Sequence, residues 1–272
     1  MNLQIDGRPA YAYTGGKPFD SSLPTVVLVH GAIDDHSVWG LQSRWLAHHG
    51  CSMLAVDLPG HGRSTGPALE SIEVLAGWLL KLLKTAGVER ALLVGHSMGS
   101  LIALEAAARL GPAASGLVMV GPACPMRVSP ALLETALNDP LRAIDMVNSF
   151  SHSSLASKPS APSPGFWLRG NAKALNRRTQ RHYAEAGFGN LFHHDFTICN
   201  EYRNGLLAAS QVVCPVSLVV GDHDQMTPAA ASAELGKALL AKTVALPAGH
   251  ALMGELPDAV RAAIQAHLPG NA

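Results

Sequence analysis

The stretch Gly95-His96-Ser97-Met98-Gly99 sets a serine midway between two glycines. A serine hydroxyl is a poor nucleophile at neutral pH. It needs a base within hydrogen-bond reach, a group that orients the base, and donors aimed at the developing oxyanion. Here the serine follows the apolar run ALLVG and opens the Ala/Leu-rich run MGSLIALEAAARLG, so a strand, a sharp turn and a helix are expected around it. Glycines suit such a turn, because a Cβ at either flanking position would press on the neighbouring strand or helix. This context favours a nucleophile over the plainer alternative, a helix-capping serine.

The elements that must hold this turn follow from periodicity. LQIDGRPAYAY reads as two short strands around Asp6-Gly7, a hairpin signal. TVVLVH (25–30) and CSMLAVDL (51–58) are apolar runs of the kind buried in a parallel sheet. SVWGLQSRWLAHHG (37–50) and SIEVLAGWLLKLLKTAG (71–87) have helical spacing and stop at glycine. RALLVG (90–95) and SGLVMVGP (115–122) are further strands. The alternation predicts an α/β fold, a mostly parallel central sheet flanked by helices. It breaks from about Pro125 to Leu207, where SPALLETAL, PLRAIDMVNSF, NAKALNRRTQRHYAEAG and NEYRNGLLAAS look helical and SKPSAPSPG (157–165) reads as an irregular loop. It resumes with the strands PVSLVVG and KTVALP and the helices AAASAELGKALL and PDAVRAAIQAHL. The simplest organisation is one sheet domain, 1–122 and 207–272, with a helical cap inserted over 123–206.

Composition limits the function classes. The 272 residues are 48% hydrophobic and 15% charged, with Lys+Arg and Asp+Glu balanced at 20 each. Nothing in that balance draws nucleic acid or an anionic membrane. The four cysteines, Cys51, Cys124, Cys199 and Cys214, form no CxxC pair and are expected to be reduced and buried. The first residues lack a basic start followed by an apolar run, and no stretch approaches the roughly 18 apolar residues of a membrane span. A cytoplasmic location is expected.

Five motifs in a fixed order carry a resemblance. VHGAIDDHSVW (29–39) is similar to the oxyanion-hole loop, DLPGHGRS (57–64) to the next strand-end turn, and GHSMGS to the nucleophile elbow of the α/β-hydrolase superfamily. GDHDQMTP (221–228) and PAGHALMGELP (247–257) resemble its acid and histidine loops. The likeness covers nearly all of the chain outside the insertion, and the order Ser…Asp…His is the family's. It implies a catalytic set of Ser97, Asp224 and His250. Asp222 is the competing acid; the family's spacing, with the acid four residues before a proline, selects Asp224. The resemblance also implies backbone N–H donors at Ala32 and at Met98, the latter at a helix N-terminus where negative charge is favoured. His30 would brace the oxyanion loop and His61 a turn.

The expected activity is hydrolysis of a small carboxylic ester or lactone through an acyl-enzyme, with no metal or organic cofactor. The cap would shape the pocket; Ile33, Trp39, His96, Phe150, Trp167 and Phe196 are its candidate lining residues, with Phe166 and His152 also considered. His193-His194-Asp195 invites a metal reading, but adjacent residues rarely face one ion and no further ligand cluster completes the set, so no metal site is expected. Ser97 argues against dehalogenases and epoxide hydrolases, which resemble this fold but carry Asp as nucleophile. Carbon–carbon bond hydrolysis, cofactor-free perhydrolase or lyase chemistry, and a small-molecule receptor stay open on the same residues. The partner is expected to be a small-molecule substrate, not nucleic acid or membrane; the sequence does not specify an oligomeric state.

Overall fold

The apolar runs assemble into a sheet whose strand ends carry the candidate residues. The structure is a computed structural model that describes residues 1–153 and 166–269, without the Phe166 side chain; the loop expected over 157–165 lies outside the described residues. The strands are β1 (Asn2–Ile5), β2 (Arg8–Tyr13), β3 (Thr25–Val29), β4 (Ser52–Val56), β5 (Ala91–His96), β6 (Ala114–Val120), β7 (Val216–Gly221) and β8 (Lys242–Leu246). They lie in the order β1-β2-β4-β3-β5-β6-β7-β8. β2 pairs antiparallel with β1 and β4, and every other pairing is parallel. The hairpin turns on Asp6 (φ 51°) and Gly7 (φ 75°), the two positive φ values of a type I′ turn. β3, β4 and β5 are buried at every position, which is why they read as continuous apolar runs.

Helices α1 (Gly40–Ala47), α2 (Ile72–Thr85) and α3 (Met98–Leu110) follow β3, β4 and β5. Leu75, Leu79, Leu101 and Leu104 of α2 and α3 pack with Val27, Val29 and Leu93 of the sheet. The other face buries Val26, Leu28 and Val94 with Trp39, Leu46, Val260 and Ile264. After β6 the chain leaves the sheet as a helical insertion: α4 (Pro130–Asn138), α5 (Pro140–Ser151), α6 (Phe166–Glu185) and α7 (Leu191–Glu201). Ser129 and Asp139 cap α4 and α5, each followed by a proline at the first helical position. This cap has its own apolar core of Leu132, Ala136, Ala143, Ile144, Phe192 and Phe196, into which Ile33 of the sheet domain inserts. The chain returns through α8 (Gly205–Ala209), which packs on α3, then α9 (Ala233–Ala238), α10 (Leu252–Glu255) and α11 (Pro257–Gln265).

Three local expectations need correction. The helix read over NEYRNGLLAAS is the end of α7, a break at Tyr202–Asn204, and the short α8. Tyr202 Oη and Asn204 Nδ2 break there to donate to Glu105 Oε1 on α3, at 2.8 and 2.6 Å. The helix over AAASAELGKALL begins as a 3-10 turn before α9. The cysteines are free, but only Cys51 and Cys199 are buried; Cys124 and Cys214 are half-buried. Among the described residues, no helix is long and apolar enough to cross a membrane.

Candidate active site

Ser97 stands between β5 and α3 at φ 52°, ψ −120°, a conformation that a residue with a Cβ rarely adopts. The turn is held by its backbone: Ser97 N–H donates to Val120 O at 2.9 Å, and the Ser97 carbonyl accepts from Ser100 N and Oγ at 2.9 and 2.6 Å. The flanking glycines are sterically required. A Cβ on Gly95 would collide with the Gly99 carbonyl, and a Cβ on Gly99 with the carbonyls of Val29 and His30. Gly31 lies against the serine; a Cβ there would sit 3.3 Å from Ser97 Cβ. The loop carrying Ala32 therefore faces Ser97, while Met98 N–H, at the first position of α3, has no acceptor within the helix. His30 does brace this loop. Its Nε2 accepts from Leu58 N–H at 3.1 Å, so its proton is on Nδ1 and donates to Gly31 O at 2.7 Å.

Asp224 and His250 come together from the loops after β7 and β8. His250 Nδ1 lies 2.8 Å from Asp224 Oδ2, and both side chains are buried. Asp222, the competing acid, is exposed. Asp224 Oδ1 accepts the N–H groups of Met226 and Thr227, each at 2.8 Å. Burial pushes the Asp224 carboxyl up, but the His250 ring and the Thr227 donors outweigh it and hold the group below its ordinary value. Sequence reasoning missed Thr227. Its hydroxyl lies 2.8 Å from Asp224 Oδ2, 3.0 Å from Gly121 O and 3.0 Å from His250 Nδ1. The available signal was a threonine three residues after the acid, the spacing of a local side-chain-to-backbone turn. His96 Nε2 donates to His250 O at 3.0 Å; burial and the nearby His250 push His96 down to about 3, so its ring is neutral. Ser97 and His250 line the same cavity, but the Ser97 hydroxyl is not hydrogen-bonded to the imidazole among the described residues. In unliganded enzymes this contact is often long and tightens with substrate.

Residues 26–263 match the alpha/beta hydrolase family. The chain belongs to that family. Among curated relatives it is 34% identical over 122 residues to a 2-succinyl-6-hydroxy-2,4-cyclohexadiene-1-carboxylate synthase of Salmonella agona, a match over 45% of this chain and 48% of the relative. The matched segment thus spans about half the length of such relatives. Two solved structures are similar over nearly their whole length. The enol-lactonase of Burkholderia xenovorans superposes with a TM-score of 0.82 at 21% identity, covering 98% of this chain and 99% of that one. An esterase of Exiguobacterium antarcticum gives 0.80 at 17% identity, covering 98% of each. At such identities the likeness speaks for the fold alone.

In this family member the strand ends and the cap enclose a cavity of about 1130 Å³. Of the expected lining residues, Ile33, His96, Phe150 and Phe196 reach it, as does His152. Trp39 and Trp167 do not line it. Trp39 ends a 3-10 turn (His36–Trp39) that rotates its ring into the core beneath the sheet, where it is fully buried. Trp167 projects from α6 into solvent, 62% exposed. Asp34 is the sole carboxyl among the described lining residues, and Arg44, Arg127 and Arg178 supply cationic groups. The His193–Asp195 stretch does not converge: His194 Nε2 donates to Leu69 O at 2.9 Å, while Asp195 Oδ2 accepts Ile33 N–H at 2.8 Å. Asp35, His36 and Asp57 do lie within 4.8 Å of one another, close enough to share an ion. Their donor atoms are committed: Asp57 Oδ1 accepts from His36 N and Nδ1, Oδ2 from Arg63 N, and Asp35 pairs with Arg178 at 2.8 Å.

Proposed function

We propose that the protein is a serine hydrolase of small carboxylic esters or lactones. The observation that carries this reading is the strained Ser97 opening onto the cavity that also holds the buried Asp224–His250 pair. With its Nδ1 proton directed to the carboxylate, His250 offers the Nε2 lone pair as base. It takes the Ser97 proton as Oγ attacks the acyl carbon, and Asp224 stabilises the imidazolium. The N–H groups of Ala32 and Met98 receive the oxyanion, the latter aided by the α3 dipole. The imidazolium protonates the leaving alcohol, and water activated by His250 then releases the acid. The cap excludes bulk water from this exchange. The mouth includes Leu41 and Phe150, both exposed apolar residues, which suits an acyl or alcohol chain of low polarity.

The test is hydrolysis of chromogenic esters from acetate to octanoate, with simple lactones alongside, by the wild type and by Ser97→Ala. Activity in the first and a loss of at least about 10³-fold in the second are expected. Activity that survives in Ser97→Ala would sink the mechanism. A second reading, non-hydrolytic chemistry with the same three groups, draws support from the relative named as a synthase. It predicts an inert ester panel while Ser97→Ala still abolishes turnover of a carbon-acid substrate.

A further inference from the structure

We propose that the cap builds part of the oxyanion side of the site, and that Asp195 on α7 is the positioning residue that sets the 31–34 loop through the backbone of Ile33. This rests on the reading of Ser97 as nucleophile and of Ala32 N–H as an oxyanion donor.

Ile33 follows Ala32 directly and is held at φ 57°, in the left-handed region that disfavours a β-branched residue. Strain of this kind persists only where the surroundings fix it, and here the cap does so from three sides. Ile33 N–H donates to Asp195 Oδ2 at 2.8 Å. The Ile33 carbonyl accepts from Asn176 Nδ2, on α6, at 3.2 Å. The same amide reaches Asp34 Oδ1 at 2.9 Å, and its oxygen accepts from Asn148 Nδ2, on α5, at 3.0 Å. The Ile33 side chain, 1% exposed, is packed into the cap's own apolar core. Both peptide groups of Ile33, and its side chain, thus belong mechanically to the cap, while Gly31, two residues earlier, lies against Ser97.

Asp195 is itself anchored from the sheet domain. Its Oδ2 also accepts from His61 Nε2 at 2.9 Å, and His61 Nδ1 faces the Pro59 carbonyl at 3.1 Å. Both ring nitrogens face acceptors, the arrangement that a protonated ring satisfies. Burial opposes this charge, but the Asp195 carboxylate and the Pro59 carbonyl outweigh it and raise the group above its ordinary value. The His61 ring lies 4.9 Å from that of His30, which braces Gly31 from the other side. Asp195 is thus a buried carboxylate with two charge-assisted partners, one of them the backbone of the loop that must aim an oxyanion donor.

The experiment compares wild type, Asp195→Ala and Asp195→Asn. Asparagine keeps an oxygen for Ile33 N–H and loses the charge opposite His61. A loop displaced by a fraction of an ångström mis-aims Ala32 N–H, so kcat for the best ester should fall roughly 10- to 100-fold in Asp195→Ala with KM changed less than about threefold. Asp195→Asn should recover part of that loss. Inhibition by an alkylboronic acid, whose tetrahedral adduct uses the oxyanion donors, should weaken in parallel with kcat. Wild-type kcat and boronate affinity in a folded Asp195→Ala would overturn the proposal, as would a loss confined to KM. Amide hydrogen exchange over residues 31–34 gives a readout that needs no turnover. Faster exchange at Ile33 in both variants, or in Asn176→Ala should Asp195→Ala not fold, supports the clamp; unchanged exchange refutes it. An inert wild type that still shows the exchange difference would sink the esterase reading and leave the clamp standing.

Discussion

Thr227 shows how one hydroxyl serves three neighbours. Its oxygen is within 3.0 Å of Asp224 Oδ2, His250 Nδ1 and the Gly121 carbonyl, yet it carries a single proton. That proton goes to an acceptor, Asp224 or Gly121, and the oxygen lone pair is left to share the His250 Nδ1 proton. The hydroxyl therefore fixes the angle between carboxylate and imidazole. Thr227→Val keeps the shape and removes only these bonds, so kcat is expected to fall about tenfold with KM unchanged, and Thr227→Ser to restore most of it. Steady-state kinetics on one ester decides this; a Thr227→Val enzyme with wild-type kcat would show that Asp224 alone orients the base. That Ser97, Asp224 and His250 would gather at one cavity was legible in the sequence because their motifs sit at strand ends in a fixed order. Thr227 was not, because nothing local distinguishes a threonine that spans two loops from one that closes a turn.

At the scale of elements, the histidine loop is tied to the end of α5. Glu255 on α10, 1% exposed, accepts Gly249 N–H at 2.7 Å and Ser153 N–H at 2.8 Å. Ala251 N–H donates to Ser151 O at 2.9 Å, on the far side of His250. Glu255→Gln places an amide NH₂ where an N–H now finds a carboxylate oxygen. It is expected to destabilise the fold by about 1–3 kcal/mol in urea unfolding and to lower kcat/KM through His250; an unchanged midpoint would mean the loop does not need this anchor. The same scale explains what the sequence hid. The strands and the hairpin were readable because burial on both faces, or an Asp-Gly turn, leaves a local mark. α7 was not, although Leu191, Phe192, Phe196, Ile198 and Cys199 lie on its buried face, because Asp195 interrupts that face. The interruption is the carboxylate that reaches Ile33, so the local rule fails where the tertiary contact is made. Trp39 was misplaced for a related reason, since spacing identifies a helix but not which of its faces meets the cavity; Trp167 precedes the helix read from Asn171, so no spacing set its direction.

For the whole molecule, three groups around the site, the buried His30 and His96 and the half-buried Asp34, set the response to acid. Burial, with His61 nearby, pushes His30 down to about 4, and burial with His250 nearby pushes His96 down to about 3, both from 6.5. Between about pH 4.5 and 6.5 the unfolded chain therefore binds two protons that the folded chain excludes, and His267, also lowered by burial, acts in the same direction. Asp34 opposes them. Burial, reinforced by Asp35 and partly offset by Asn176, His250 and His61, pushes its carboxyl from 3.8 up to about 7. In this window the folded chain holds a proton on Asp34 that the unfolded chain has lost. Folded stability should thus rise with pH across the window, because two or more protons on the histidines outweigh one on Asp34. Asp34→Asn removes the opposing group, since an amide neither binds nor releases that proton. The slope of unfolding free energy against pH should then steepen by one proton, as measured by urea unfolding of both proteins at several pH values from 4.5 to 6.5. An unchanged slope would show that Asp34 is ionised in the folded cavity throughout this range, with Asn176 and the histidines outweighing its burial.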